Sequence, residues 1–231
     1  MLKAKIYEIF SSLQGEGKYT GVKQVFVRFA GCNLDCAFCD TPAARGGGAG
    51  EVAEYGIDEV LAHIRPLWKG CHSVSLTGGE PLLHKDFIVS LLPFLKKENM
   101  LSYLETNGTL PQALEEVILG IDFVSMDMKL PTSTGMHAFW KEHKEFIQIG
   151  TQKEIQVKVI VTAKTSEEDI RKAADIVASV DNSITFVLQP NSLAIEVDKV
   201  DLKCRRFKEI CTTILDDVRI MPQMHRIWGI R

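Results

Sequence analysis

No apolar run in the sequence approaches the ~18 residues of a membrane span, and the amino-terminal MLKAKIYEIF carries lysines where a secretory leader would be continuously apolar. Neither sign of charge dominates. With 27 basic and 30 acidic residues the net charge is -3, which gives no overall basic field to hold duplex nucleic acid. The expectation is a cytoplasmic protein with neither membrane nor nucleic acid as a partner. Solenoid-type repeats and charged tails are also lacking. The glycine-rich stretch 45–50 has no Lys-Ser/Thr after it and no strand immediately before it, so it reads as a flexible connection, not a phosphate loop. Nothing between the periodic segments looks like a linker between two cores, and residues 1–231 read as one domain.

A fourth clustered cysteine is missing as well. Cys32, Cys36 and Cys39 fall together in GCNLDCAFCDTP, while Cys71, Cys204 and Cys211 are dispersed. In a reducing compartment a tight cluster points to metal binding or catalysis, not to a disulfide framework. Structural zinc takes four protein ligands and complete iron-sulfur clusters take four cysteines. A four-iron cluster held by three thiolates keeps one iron open to a ligand. Cys204 and Cys211 read as small apolar residues on one helix face. Cys71 reads as structural, with it or the adjacent His72 as the candidate fourth ligand of a closed metal site.

Along the rest of the chain, strand-like runs at 3–10, 23–30, 73–78, 101–107, 123–129, 155–162, 183–190 and 217–223 alternate with helical patterns at 57–69, 84–99, 111–119, 136–148, 166–180 and 201–215. Several strands look apolar on both faces, as parallel strands covered by helices do. In the helix 166–180, Ser166 can cap, Asp169 complements the helix dipole, and Ile170, Ala173, Ala174, Val177 and Val180 form one stripe. Repeated βα units imply an α/β fold with a parallel sheet, open or partly closed into a barrel, and ligands at the carboxyl ends of its strands. Polar residues gather at those ends: Thr77 to Glu80, Glu105 to Gly108, Ser125, Asp127 and Lys129, Gln189 to Asn191, and Pro222, Gln223 and His225. Each set would pass for a turn, but five on one rim suggest a polar pocket.

The spacing C-x3-C-x2-C on a loop after the strand QVFVRFA, joined to TGGEP after the next strand, resembles the signature of the radical S-adenosylmethionine enzymes. The resemblance implies a 4Fe-4S cluster on Cys32, Cys36 and Cys39 whose open iron chelates S-adenosylmethionine, with the cofactor carrying the radical chemistry. It also implies Gly79 and Glu80 at the methionine ammonium, where glycine permits close approach, and Phe38 against adenine.

A longer pattern, FSSLQGEG at 10–17, then Arg28, then Cys39-Asp40-Thr41, and finally His225, is similar to the 7-carboxy-7-deazaguanine synthases over nearly the whole chain. That resemblance implies an abridged partial (β/α) barrel with mostly parallel strands. It implies a radical carbon-nitrogen lyase of queuosine and deazapurine synthesis, which contracts 6-carboxy-5,6,7,8-tetrahydropterin to 7-carboxy-7-deazaguanine with loss of ammonia. The implied substrate site is Leu13, Gln14, Gly15, Glu16, Arg28, Thr77, His225 and Arg231, the last through its terminal carboxylate. The implied cofactor site is Phe38, Cys39, Asp40, Gly79, Glu80, Ser125, Met126, Asp127, Gln189, Pro190, Asn191 and Ser192, with Mg²⁺ at Thr41. Asn191-Ser192 departs from the acidic character expected after Gln-Pro. A flavodoxin-like or ferredoxin-like reductant and a homodimer accompany the reading.

Two other classes stay open. An activase that places a radical on a partner enzyme's glycine shares the cysteine spacing, but often has His-Asn where this chain has Asp40-Thr41. A non-catalytic iron-sulfur electron-transfer module or a zinc-binding module would not need the polar strand ends. Locally, Thr41 could cap the next turn, Arg28 could form a surface ion pair, and the last residues could fray. Against fraying, Met224, Ile227, Trp228 and Ile230 would be costly to leave in water.

Overall fold

The computed structural model describes residues 2–45, 52–193 and 196–230. Most of the glycine-rich stretch, 46–50, and Arg231 therefore lie outside the described residues. The chain runs β1 (Lys3–Leu13), β2 (Lys23–Phe29), β3 (Ala53–Gly56), α1 (Ile57–Leu67), β4 (Ser73–Gly78), α2 (Lys85–Lys97), β5 (Leu101–Thr106), α3 (Pro111–Val117), β6 (Phe123–Asp127), α4 (Pro131–Thr134), α5 (Trp140–Gly150), β7 (Glu154–Val161), α6 (Glu167–Ala178), β8 (Thr185–Pro190), α7 (Val197–Cys211), β9 (Val218–Ile220) and α8 (Met224–Trp228). One nine-stranded sheet has the order β3-β1-β2-β4-β5-β6-β7-β8-β9. Every pairing from β2 to β9 is parallel, and β1 pairs antiparallel with both β2 and β3. The sheet curves as a partial barrel and does not close, so the abridged α/β barrel expected from sequence is the architecture found. Among the described residues no helix is long and apolar enough to cross a membrane.

Period-two alternation gives the sheet two unlike faces. Val25, Val27 and Phe29 of β2, Val74 and Leu76 of β4, and Val157, Val159 and Val161 of β7 point into the apolar core beneath the helices. Their neighbours Gln24, Arg28, Ser73, Ser75, Thr77, Gln156 and Lys158 have the opposite parity and face inward. The sequence reading of strands apolar on both faces therefore holds for one face only. The other mixes polar residues with Phe26 and Ile160, because it lines a site.

The helices follow their amphipathic patterns. In α6 the Ser166 hydroxyl accepts from Asp169 N at 3.1 Å, and Ile170, Ala173, Ala174 and Val177 are buried. Val180 lies just past the helix and packs at the edge of the core. Cys204 and Cys211 are buried on α7, where burial pushes both thiols up to about 12 and leaves them inert.

Several boundaries differ from the expectation. The pattern at 136–148 becomes α5, shifted to Trp140–Gly150, and the short α4 that precedes it, stopped by left-handed Gly135 (φ 76°), is not among the expected elements. The last strand is only Val218–Ile220, after which the chain turns into α8. Strand β3, which carries no alternating apolar signal, forms because its backbone pairs with β1 at the sheet edge, Lys3 opposite Gly56. The apolar tail is not buried: Ile227 is 65%, Trp228 41% and Ile230 36% exposed. The chain holds this segment through polar contacts at the mouth of the barrel and leaves the outer face of α8 in solvent.

Candidate active site

The cysteine loop leaves β2 and is fixed on several sides. Gly31 N donates to Ala44 O at 2.7 Å, Ala37 N to Thr134 O at 3.4 Å, and Asn107 Nδ2 to Asn33 Oδ1 at 2.8 Å. Arg45 pairs with Asp35. Cys32, Cys36 and Cys39 all line one pocket. Burial pushes the Cys32 and Cys36 thiols above their ordinary range, against the pull of the Lys129 ammonium. The loop lies on the end of β4, where Gly79 N donates to Phe29 O and Glu80 N to Gly31 O. A Cβ on Gly79 would come within 3.0 Å of Cys32 Cβ and within 2.7 Å of Gly31 C, so glycine is what lets the two segments touch.

Polar side chains of the sheet line the same pocket. The Glu105 carboxylate accepts from Gln14 Nε2 at 2.6 Å, Thr77 Oγ1 at 2.8 Å and Ser75 Oγ at 3.2 Å. Arg28 lines the pocket, donates from Nε to Glu8 Oε1 at 2.9 Å, and lies over the Phe10 ring at 5.7 Å. A guanidinium held through Nε still presents its two terminal nitrogens, the fork that suits a carboxylate.

A charged row crosses the mouth. Lys158 is buried and pairs with Glu16, and its ammonium is 3.7 Å from Asp127 Oδ2, which Lys129 also meets at 2.8 Å. Burial alone would raise the Glu16 carboxyl, but Lys158, Gln223 and His225 hold it down at about 2. Burial disfavours the Lys158 ammonium too, yet Glu16 and Asp127 keep its pKa above the ordinary lysine range. Gln223 donates to Glu16 Oε1 at 2.7 Å and to Asp40 Oδ2 at 2.8 Å, and accepts from Ser192. Met224 N donates to Gly15 O at 2.8 Å. A Cβ at position 15 would lie 2.7 Å from the backbone nitrogen of His225, so glycine again permits the approach. Glu16, Asp40 and His225 bring ligand atoms within 4.8 Å of one another. The three thiols do not form so tight a group, which a single zinc ion would require.

Most sequence-derived site residues meet in this pocket: Leu13, Gln14, Gly15, Glu16, Arg28, Thr77 and His225 from the implied substrate site, together with Phe38, Cys39, Asp40, Thr41, Gly79, Ser125, Asp127, Gln189, Pro190 and Asn191 from the implied cofactor and metal sites. Ser192 reaches it through Gln223. Two expected contacts fall elsewhere. The Met126 side chain has the outward parity of β6 and is fully buried in the core. Glu80 is fully buried with its carboxylate engaged by Leu82 N, Thr106 Oγ1 and Asn107 N, and burial pushes it to about 7 against those donors. It fastens β4 to β5 from beneath the pocket. Arg231 lies outside the described residues. The sequence places Glu105, Lys129 and Gln223 on the polar rim without indicating what they hold, and Lys158 escapes it altogether. The signal for Lys158 was present: Glu154, Gln156 and Lys158 occupy alternate positions of one strand.

The polar lining suits bound polar groups. Asp127 Oδ1 and both amide atoms of Gln189 are buried with no hydrogen-bond partner among the described residues, a costly state for groups that face no ligand. Three thiols on one tethered loop beside these acceptors fit a cluster with one open iron and a polar cofactor.

Residues 26–177 match the family profile described as the Radical SAM superfamily. The chain is 36% identical over 244 residues to a 7-carboxy-7-deazaguanine synthase of Geobacter sulfurreducens, covering 98% of this chain and 97% of that one. It is 34% identical over 252 residues to a 7-carboxy-7-deazaguanine synthase of Methanothermobacter thermautotrophicus, covering 100% and 99%. Among solved structures, QueE from Escherichia coli matches with a TM-score of 0.66 at 23% identity, covering 96% of this chain and 95% of that one. Streptococcus suis SuiB bound to S-adenosylmethionine matches at 0.59 and 20% identity, covering 85% and 51%.

Proposed function

The chain belongs to the radical S-adenosylmethionine superfamily and, within it, to the 7-carboxy-7-deazaguanine synthases; from that premise we propose how its concave face contracts 6-carboxy-5,6,7,8-tetrahydropterin to 7-carboxy-7-deazaguanine with loss of ammonia. One observation carries the reading: a single pocket is lined by the cysteine trio, by the Arg28 guanidinium of β2, by the Glu105 carboxylate of β5 and by the Glu16 carboxylate of the loop that follows β1. Relatives of this activity match end to end, and no feature of the sequence or the pocket favours a glycyl-radical activase or a non-catalytic module.

Cys32, Cys36 and Cys39 would hold a 4Fe-4S cluster. Bound there, the cluster would pass one electron from an external reductant to S-adenosylmethionine, and the cofactor would supply the hydrogen-abstracting 5′-deoxyadenosyl group. The remaining work belongs to the chain. Ser125, Asp127 and Gln189 offer buried hydrogen-bonding groups to the polar parts of the cofactor, with Phe38 as an aromatic face. Arg28 takes the substrate carboxylate. Glu105 and Glu16 accept from the N-H groups of the pterin ring, and His225 closes the site from the other side. Holding both molecules in fixed orientation is how a protein directs a reactive species to one hydrogen.

Thr41 would hold Mg²⁺; it follows Asp40, whose carboxylate oxygen clusters with Glu16 and His225, and hard oxygens suit that ion. A flavodoxin-like or ferredoxin-like reductant, a homodimer, a cytoplasmic location and a one-domain chain complete the reading. The test is anaerobic incubation of reconstituted protein with the carboxy-tetrahydropterin, reductant and S-adenosylmethionine, followed by mass spectrometry. Formation of 7-carboxy-7-deazaguanine supports the proposal. Cofactor cleavage with the pterin recovered intact would overturn it.

A further inference from the structure

Gln24 is fully buried, lies outside the pocket wall, and yet ends a chain of hydrogen bonds that reaches it. On β2 it sits opposite Ser73 of β4 and donates to Ser73 Oγ at 2.9 Å. Its own oxygen accepts from Gln14 Nε2 at 3.0 Å, and the same nitrogen donates to Glu105 Oε1 at 2.6 Å. Gln14 Oε1 in turn accepts from Glu16 N at 3.0 Å. Both hydrogens and the oxygen of the Gln14 amide are thus engaged within the protein. That fixes its orientation, since a flipped amide would set its oxygen against the Glu105 carboxylate and its N-H groups against Glu16 N.

Sequence resemblance places Gln14 at the substrate. Its hydrogen bonds suit it instead to aim the carboxylate of Glu105 and the backbone of Glu16. We propose that Gln24 is a positioning residue for the substrate site, acting through Gln14 on Glu105. The inference rests on the proposed function and adds to it the group that orients the acceptor wall. Thr77 and Ser75 brace Glu105 from β4, so Gln24 supplies the third direction of restraint. A buried rail of this kind keeps an acceptor in place without spending its own atoms on the ligand.

The test is a double-mutant cycle on equilibrium binding to the reconstituted, unreduced enzyme, which does not turn over. Gln24→Met, close in length, removes the acceptor for Gln14. The expected result is a roughly three- to tenfold weaker affinity for the carboxy-tetrahydropterin, the range one neutral hydrogen bond supports, with S-adenosylmethionine affinity within about twofold. In a Gln14→Leu background the same change should have no further effect, because the residue through which it acts is gone. If Gln24→Met does not yield folded protein, Ser73→Ala releases the seat of Gln24 and should show the same direction and the same silence in the Gln14→Leu background. Equal loss of both ligands, or independent and additive losses in the cycle, would overturn the inference. Failure of the unmodified enzyme to bind the pterin would count against the proposed function instead.

Discussion

Replacing Lys158 with methionine keeps most of the apolar stem and removes the ammonium, leaving Asp127 with Lys129 and leaving Glu16 with Gln223 and His225 but without its ion-pair partner. Glu16 drops from an ordinary 4.5 to about 2 in the folded protein, with Lys158 the leading cause of the drop. At 1.36 kcal/mol per pH unit that displacement is worth about 3 kcal/mol, in line with the ~3–5 kcal/mol expected when one partner of a buried pair is removed. For a chain of this size the melting temperature should fall by roughly 6–20 °C. The pH dependence carries the sign. In the intact protein Glu16 contributes stability that is complete above 4.5 and lost as pH falls through about 2. In Lys158→Met, burial acts with less opposition and raises the carboxyl above 4.5, so its penalty is full near neutrality and disappears below 4.5. The stability gap between the two proteins should therefore be widest near pH ~7 and shrink on acidification. Chemical denaturation of both proteins across that range measures it. A gap below ~1 kcal/mol, or one that does not change with pH, would refute the assignment of Lys158 as the counterion that keeps Glu16 charged.

Alanine at Cys32, Cys36 or Cys39 should abolish the visible absorption of the reconstituted cluster, whereas alanine at Cys71, Cys204 or Cys211 should leave it, as iron and sulfide analysis will show. Arg28→Lys loses the fork and should raise the substrate KM by roughly tenfold, the weight of one charge-assisted hydrogen bond, while S-adenosylmethionine binding stays unchanged. Thr41→Ala should weaken the magnesium dependence of turnover and spare the cluster; an unchanged response to magnesium would leave Thr41 as a turn residue. Gly15→Ala drives a methyl group against the backbone of His225 at a cost of about 1–3 kcal/mol. Steady-state kinetics should then show loss of substrate affinity with cofactor cleavage in the absence of substrate intact.

The chemistry of the cysteine loop and the glycine-rich strand end was legible because both are local: each motif is contiguous and needs only the turn it sits on. The parallel sheet was legible from alternating βα patterns. The antiparallel start was not, because β3 is four residues of backbone pairing with no apolar signature. Met126 illustrates a different limit. It lies between two residues that do line the pocket, and parity along β6 sends its side chain to the other face. Glu80 stands in a recognisable motif, but only the structure shows that its carboxylate is engaged by the next strand. The bonds among Gln24, Gln14 and Glu105, and those from Gln223 to Glu16 and Asp40, join residues far apart in sequence, and no spacing rule announces them.

The mouth of the barrel is fastened where the sheet does not close. Glu16 and Gln223 are 207 positions apart, and Asp40 and Gln223 are 183 apart. The sheet between them grows by short βα steps, each joining a strand to its neighbour, whereas these clasps are among the longest-range contacts in the site and must wait for the sheet. At ~5–20 residues per second of synthesis, position 223 follows position 16 by roughly 10–40 s. During that interval the nascent chain can assemble the strands that carry Arg28, Glu105 and Lys158, but not the wall built from Gln223 and His225. Its capacity to confine a radical therefore arrives last, so a partly made protein can have the sheet without yet having the reaction.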